Sequence, residues 1–170
     1  MNRASAGVYA VHSLLIAALT ISVPAFTQAK EPSQASRHPT NCDSPYKKKT
    51  VSSKQLQAIV DSHGQWLEQR EKPEYQRADL CQADLRHAKL TGANLERAQL
   101  EGALLRQANL YQSNLAQASL SGADLTRAVL EESNLVEADL RHARLSNANL
   151  SHAMGDEAAL YNAVLTGARL

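Results

Sequence analysis

The chain has 170 residues and a formal net charge of +1, with one Phe, one Trp and abundant Leu and Ala. So little aromatic bulk excludes a conventional core of large rings, and so balanced a charge excludes a whole-chain field for nucleic acid or an anionic membrane. Two cysteines, Cys42 and Cys81, allow at most one intramolecular disulfide.

Residues 1–29 have the form of an export signal. Arg3 gives a short positive start, Ser13 to Val23 is apolar and Pro24 breaks the segment. Thr27-Gln28-Ala29 places small residues where a signal peptidase reads, with the cut after Ala29. The apolar run is interrupted by His12 and is short for a bilayer span, which disfavours a retained anchor. Pro39-Thr40-Asn41 is too polar to mark Cys42 for lipidation. Residues 30–50 are polar, hold three prolines and the run Lys47-Lys48-Lys49, and read as a flexible arm.

Residues 51–72 read as one amphipathic helix. Ser52 and Gln55 have capping-box spacing, with Val51 and Leu56 at the staple positions. Leu56, Ile59, Val60, His63, Trp66 and Leu67 fall on one face, and Pro73 stops the helix. Lys54, Asp61, Glu68 and Glu71 lie opposite. The short apolar stripe needs a surface to lie on.

From Gln76 to Leu170 the chain is 19 consecutive pentapeptides. Leu holds the centre in 18 of them, and the exception is Gly155. Two residues earlier stands Ala in 17 cases, with Ser113 and Ser133 in the other two. A period of five suits neither a helix nor a long strand. Ala and Leu two apart share one face of a short extended segment, and the next two residues, polar or Gly, suit a corner. Each pentapeptide is therefore one side plus one turn, and repeated turns of one hand wind into a stack of coils about 4.8 Å apart.

Runs such as Ala78-Asp79-Leu80, Ala93-Asn94-Leu95 and Ala123-Asp124-Leu125 resemble the pentapeptide repeat family, over 95 residues without a gap. The resemblance implies an all-β solenoid: a right-handed, four-sided β-helix of pentapeptide repeats, here with 19 repeats in about 4.75 coils. His63-Gly64-Gln65-Trp66-Leu67 followed by Arg77-Ala78-Asp79-Leu80 resembles the family's preface, an N-terminal α-helix that covers the first coil. His63 and Trp66 are then structural cap residues, with Trp66 expected on the first coil beside Leu80. Four-sided stacking puts Leu80, Leu100, Leu120, Leu140 and Leu160 in one column. Asn94, Asn114 and Asn134 share another and form an amide ladder, while Arg86 superposes on Arg106 and mildly repels it. Gly155 leaves a gap on the fourth side that Met154 is expected to fill by turning inward, distorting that corner.

Catalytic, cofactor-binding and metal residues are not expected. His87, His142 and His152 fall at outward corners of three different sides, which precludes convergence on a metal. Asp79, Asp84, Asp124 and Asp139 stand where the repeat pattern itself places Asp or Asn. The interior is filled by Leu and Ala, so an enzyme is the least favoured reading.

The leading one is an exported, non-enzymatic binding or scaffold module that uses its outer faces on an unknown protein partner, in a bacterial periplasm or, alternatively, a thylakoid lumen or the cell exterior. No nucleic acid, and no membrane after signal cleavage, is expected. The resemblance also implies a nucleic-acid-mimicking alternative, since some family members present acidic rods to topoisomerases. Residues 76–170 hold 11 acidic and nine basic groups, and bases such as Lys89, Arg97, Arg106 and Arg144 interrupt the acids on every side, which argues against it. Cys42 and Cys81 are candidates for a disulfide tying the arm to the solenoid. Leu160, Leu165 and Leu170, on the last coil, are candidates for the edge of an end-to-end homodimer.

Overall fold

From Gln76 onward the backbone repeats one hydrogen-bond pattern every five residues. Around Leu100, Gln99 N–H donates back to Ala78 C=O at 2.9 Å, and Leu100 N–H donates forward to Ser119 C=O at 2.8 Å. Gly102 N–H donates to Ser121 C=O at 2.9 Å, and Ala103 N–H closes the turn on Leu100 C=O at 3.1 Å. Parallel bridges join each outward residue to the one 20 positions on, from Asp79↔Gln99 to Asn149↔Arg169. Four such turns per 20 residues make a four-sided coil. The computed structural model describes residues 42–70, 72 and 74–170, within one compact unit spanning Pro39–Leu170. The signal segment 1–29, the start of the arm and Pro73 lie outside the described residues.

The third position of every repeat turn has a positive φ, between 52° at Gln82 and 71° at Gly167. That is type II turn geometry, in which glycine is the unstrained choice. Only Gly92, Gly102, Gly122 and Gly167 supply it in the repeats; the other turns hold Gln, His, Arg, Glu or Asn. The second turn position has an N–H that the coil pattern leaves unpaired. All nine Asp or Asn residues before a central Leu accept it through the side chain, as Asp79 does for Cys81 and Asn149 for Ser151. This is the physical reason for Asp or Asn at that place.

Inside, the Leu columns from Leu80 to Leu150 are buried with the Ala columns beside them. Ser113 and Ser133 take Ala places and are buried, each hydroxyl donating to the carbonyl three residues back at 2.7 Å.

The N-terminal edge departs from the sequence reading. Residues 42–50 belong to the fold and are not a flexible arm. Ser44 Oγ donates to Asp79 C=O at 2.8 Å, Lys48 N–H to Gln82 C=O at 2.8 Å, and Asp84 N–H to Lys49 C=O at 2.9 Å. Thr50 forms a parallel bridge with Asp84, and Lys48 has a positive φ like a repeat turn. Val51, only 8% exposed, lies in the core where a coil would hold Leu. This segment is a partial extra coil, covering part of an edge that would otherwise face water unpaired. Cys42 and Cys81 are joined as a disulfide with Cα atoms 5.8 Å apart, 39 positions apart in sequence.

Helix α1 spans Ser53–Glu68, shorter at both ends than the expected 51–72. Val51 is committed to the edge strand. Beyond the C-cap Gln69 the chain turns back toward the first repeat through Lys72 N–H to Gln69 C=O and Tyr75 N–H to Lys72 C=O. The Ser52–Gln55 capping box forms.

The fourth side also differs from expectation. Met154 points outward, 54% exposed, and its corner is regular: Asn134↔Met154 bridge and Ala158 N–H closes on Gly155 C=O at 3.0 Å. Backbone pairing with the coil before it holds the corner whether or not the gap is filled. A Cβ at Gly155 would meet nothing within 4 Å, and its φ is not in the left-handed region. Gly155→Leu should therefore extend the Leu95, Leu115, Leu135 column and stabilise by about 1–2 kcal/mol, from added burial and reduced freedom of the unfolded chain. A denaturation midpoint unchanged or lowered in this variant would show that the gap is needed.

Candidate functional site: capped end, outer faces and open end

At the capped end, α1 presents Leu56 and His63 to the first coil, with Ile59 and Val60 packed beside them. His63 is fully buried. Its Nδ1 accepts from Ala78 N–H at 3.1 Å, and its Nε2 lies 2.9 Å from Glu96 C=O, to which it donates. The imidazole thus pairs one donor and one acceptor of the first coil that no preceding coil supplies. Only the neutral ring, protonated at Nε2, serves both. Burial is the main force holding its pKa below the ordinary 6.5; the bond to Glu96 C=O opposes it. Trp66 is half-buried. It stacks on His63 with centroids 5.5 Å apart, under Arg70, instead of entering the core beside Leu80.

Two consequences are measurable. His63→Leu strands a buried donor and acceptor and should cost about 3 kcal/mol or more. Trp66→Ala removes a partly exposed ring and should cost about 1–2 kcal/mol. Equal losses in denaturant titrations would contradict this ranking. Secondly, the unfolded chain binds a proton at His63 more readily than the folded one. The folded state is therefore favoured above pH 6.5 and loses ground as pH falls through and below 6.5, by at most about 1.4 kcal/mol per pH unit. His63→Gln should flatten that part of the stability profile.

The disulfide closes the other half of this end. In the chain-entropy treatment a loop of this length contributes about 4 kcal/mol. Reduction should loosen the edge strand, so that trypsin cuts at Lys47, Lys48 and Lys49 faster than in the oxidised protein. Unchanged cleavage would show that backbone pairing alone holds the segment.

The 20-residue register sorts the outer side chains. Asn114 Nδ2 donates to Asn94 Oδ1 at 3.2 Å and Asn134 Nδ2 to Asn114 Oδ1 at 3.1 Å, so the fourth side carries the amide ladder. Its two flanking corners hold Glu131 and Glu132 on one edge, and Glu96, Glu137, Asp156 and Glu157 on the other. Arg97 is the one base there; it donates to Gln117 at 2.6 Å, which donates to Glu137 at 2.9 Å. The bases gather away from it, as Arg86, Arg106 and Arg127 at the corner between the second and third sides, with Arg144 and Lys89 on those sides. The acids are therefore not evenly interrupted, as a count along the chain implied. Position modulo 20 was the signal that shows the grouping.

Asp84 binds Arg86 through both oxygens, at 2.8 and 2.7 Å, and the guanidinium holds its carboxyl down at about 2. Asp139 pairs in the same way with Arg141. His87, His142 and His152 sit at three separate corners, and His142 meets Tyr161 edge-on. No group of metal-binding residues converges among the described residues. At the open end Leu160, Tyr161, Val164 and Leu170 are exposed, Leu170 by 85%, and Leu165 is half-buried.

A sequence model of the family described as pentapeptide repeats matches residues 76–107, 93–131 and 133–170. The chain belongs to the pentapeptide repeat family. Its solenoid is the family's right-handed β-helix. Among solved structures it is similar to a pentapeptide repeat protein of the Arabidopsis thaliana thylakoid lumen, at 35% identity and a TM-score of 0.49, over 50% of this chain and 59% of that one. A pentapeptide repeat protein from the cyanobacterium Cyanothece 51142 matches at 32% identity and TM-score 0.40, over 51% and 63%. One from Nostoc Pcc 7120 matches at 25% and 0.32, over 68% and 94%. The chain thus spans about three fifths of the first two structures. No curated protein matches it.

Proposed function

We propose that this pentapeptide repeat protein is an exported, non-enzymatic binding or scaffold module whose outer faces, above all the acidic fourth side, receive a protein partner. The observation that carries this reading is the filled interior. Through Leu150 the coils are packed with Leu and with Ala or Ser, so recognition falls to the outside. There the ladder of Asn94, Asn114 and Asn134 offers a polar strip between two acidic edges, which suits a basic protein surface. Export is supported by the pattern of residues 1–29 and by the Cys42–Cys81 bond, which belongs in an oxidising compartment such as the periplasm. The open end supports a homodimer. Leu160, Leu165 and Leu170, with unpaired backbone groups around them, would be buried by the same surface of a second copy.

The test joins location to contact. The mature protein should be recovered from the exported fraction, and a photocrosslinker at Gln117 should capture a partner that one at Ser146 does not. Glu132→Lys with Glu137→Lys should abolish that capture in a protein that still folds, with a modest fall in melting temperature from the lost column bonds. Equal capture from both sites would remove the fourth side from the proposal. The segregated acids favour one second reading, nucleic-acid mimicry toward a topoisomerase. It predicts inhibition of DNA supercoiling by the purified mature protein, and it fails if the protein is found only outside the cytoplasm.

A further inference from the structure

We propose that the corner between the second and third sides is a binding site for a phosphate group, separate from the acidic fourth side and diagonally opposite its Glu137 edge on the coil. A surface hollow of about 220 Å3 lies there, lined by Arg86, His87, Arg106, Gln107, Thr126 and Arg127. Each of these side chains has a hydrogen-bond donor, and none of them is a carboxylate. Arg86 and Arg106 hold the same turn position one coil apart, and Arg127 stands at the neighbouring turn position of the next coil, so three arginines line one space about two coil steps deep. Their compensation by acids is incomplete. Arg86 is held by Asp84 at 2.7 Å, Arg106 lies 3.9 Å from Asp124, and Arg127 has no acidic partner among the described residues.

Such convergence is unfavourable for the free protein, because like charges at this spacing repel. A bound dianion reverses the sign. The guanidiniums of Arg106 and Arg127 offer paired N–H groups that match two oxygens of one phosphate, and Gln107 can donate to the rest, while Arg86 and Thr126 are held by Asp84 and Asp124 and shape the wall. Nothing in the turn requires these residues. Arg127 and His87 occupy positive-φ positions that glycine would fill without strain, and Arg86 and Arg106 occupy the turn position that the fold leaves free. The corner is continuous with a larger cleft of about 500 Å3 beneath α1, which shares Arg86 and His87 and adds Lys89 together with Asp84, the partner of Arg86. The phosphate can thus be carried by a free anion or by the headgroup of a larger molecule.

Titration of the mature protein with inorganic pyrophosphate tests the site, by calorimetry and by amide chemical shifts. We expect one saturable event per chain, with shifts confined to residues 86–87, 106–107 and 126–127, weakening as salt rises. Arg106→Gln with Arg127→Asn should reduce the affinity at least tenfold. Arg141→Gln, at a different corner, should leave it unchanged. Vesicles containing phosphatidic acid form the second arm. Pyrophosphate binding with vesicles ignored assigns a free anion. Vesicle binding lost in the double variant assigns a headgroup. Both uphold phosphate recognition. Absence of saturable binding in both arms, shifts spread around the rod, or equal weakening in Arg141→Gln would overturn it. The shift map in the unmodified protein keeps the test decisive if the double variant folds poorly.

Discussion

The backbone pairing between residues 20 positions apart is what everything else in this molecule depends on. A pentapeptide side is too short to be a strand in its own right. It holds only because Gln99 donates back to Ala78 and Leu100 donates on to Ser119, and because each side does the same for its neighbours. A stack of this kind is nearly one-dimensional: each coil is stabilised by the two it touches. The cost falls on the ends, where one face of every side has no partner.

The N-terminal end meets that cost with three devices of different chemistry. Residues 44–51 imitate a side of the coil, with Thr50 bridged to Asp84 and Val51 in a leucine's place. The disulfide fixes where that imitation begins. Helix α1 covers apolar surface with Leu56 and delivers His63, whose two ring nitrogens match one donor and one acceptor of the exposed edge. A hydroxyl or an ammonium in that place would leave one of the two unmet or badly placed. The other end of the described chain has no such device, and its leucines lie open to water.

The repeat was legible in the sequence because the constraint that creates it acts on identity: an inward place admits Leu, and its neighbour admits Ala or Ser. The helix was legible for a similar reason, through its cap and its apolar stripe. The edge strand was not. Tyr46 to Val51 pairs through its backbone, and backbone pairing leaves no trace in residue type, so three lysines read as a solvated arm. Trp66 misled in the opposite direction. Its size argued for burial, but His63 already holds the place over the first coil, and the indole is left to cover the imidazole. The charge grouping was present in the numbering and invisible along the chain, because residues that share an edge are 20 apart.

The turns show which part of the surface the fold does not dictate. Glycine would relieve the left-handed strain at the third turn position, yet the repeats use it at only four turns and place polar side chains at the others. Each such residue costs on the order of 1 kcal/mol against glycine. Some recover it by bonding along their column, as Arg97, Gln117 and Glu137 do, or Gln112 and Glu132. Others, Gln107 and Asn147 among them, show no such bond among the described residues; of these, Arg127 and Glu157 carry opposite charges and stand on opposite edges of the coil. For the solenoid alone they are a net loss. Under the two proposals they have a use outside the rod: an anion at one edge and a cationic surface at the other. The side chains that the fold would be better without are therefore the ones most informative about what it binds.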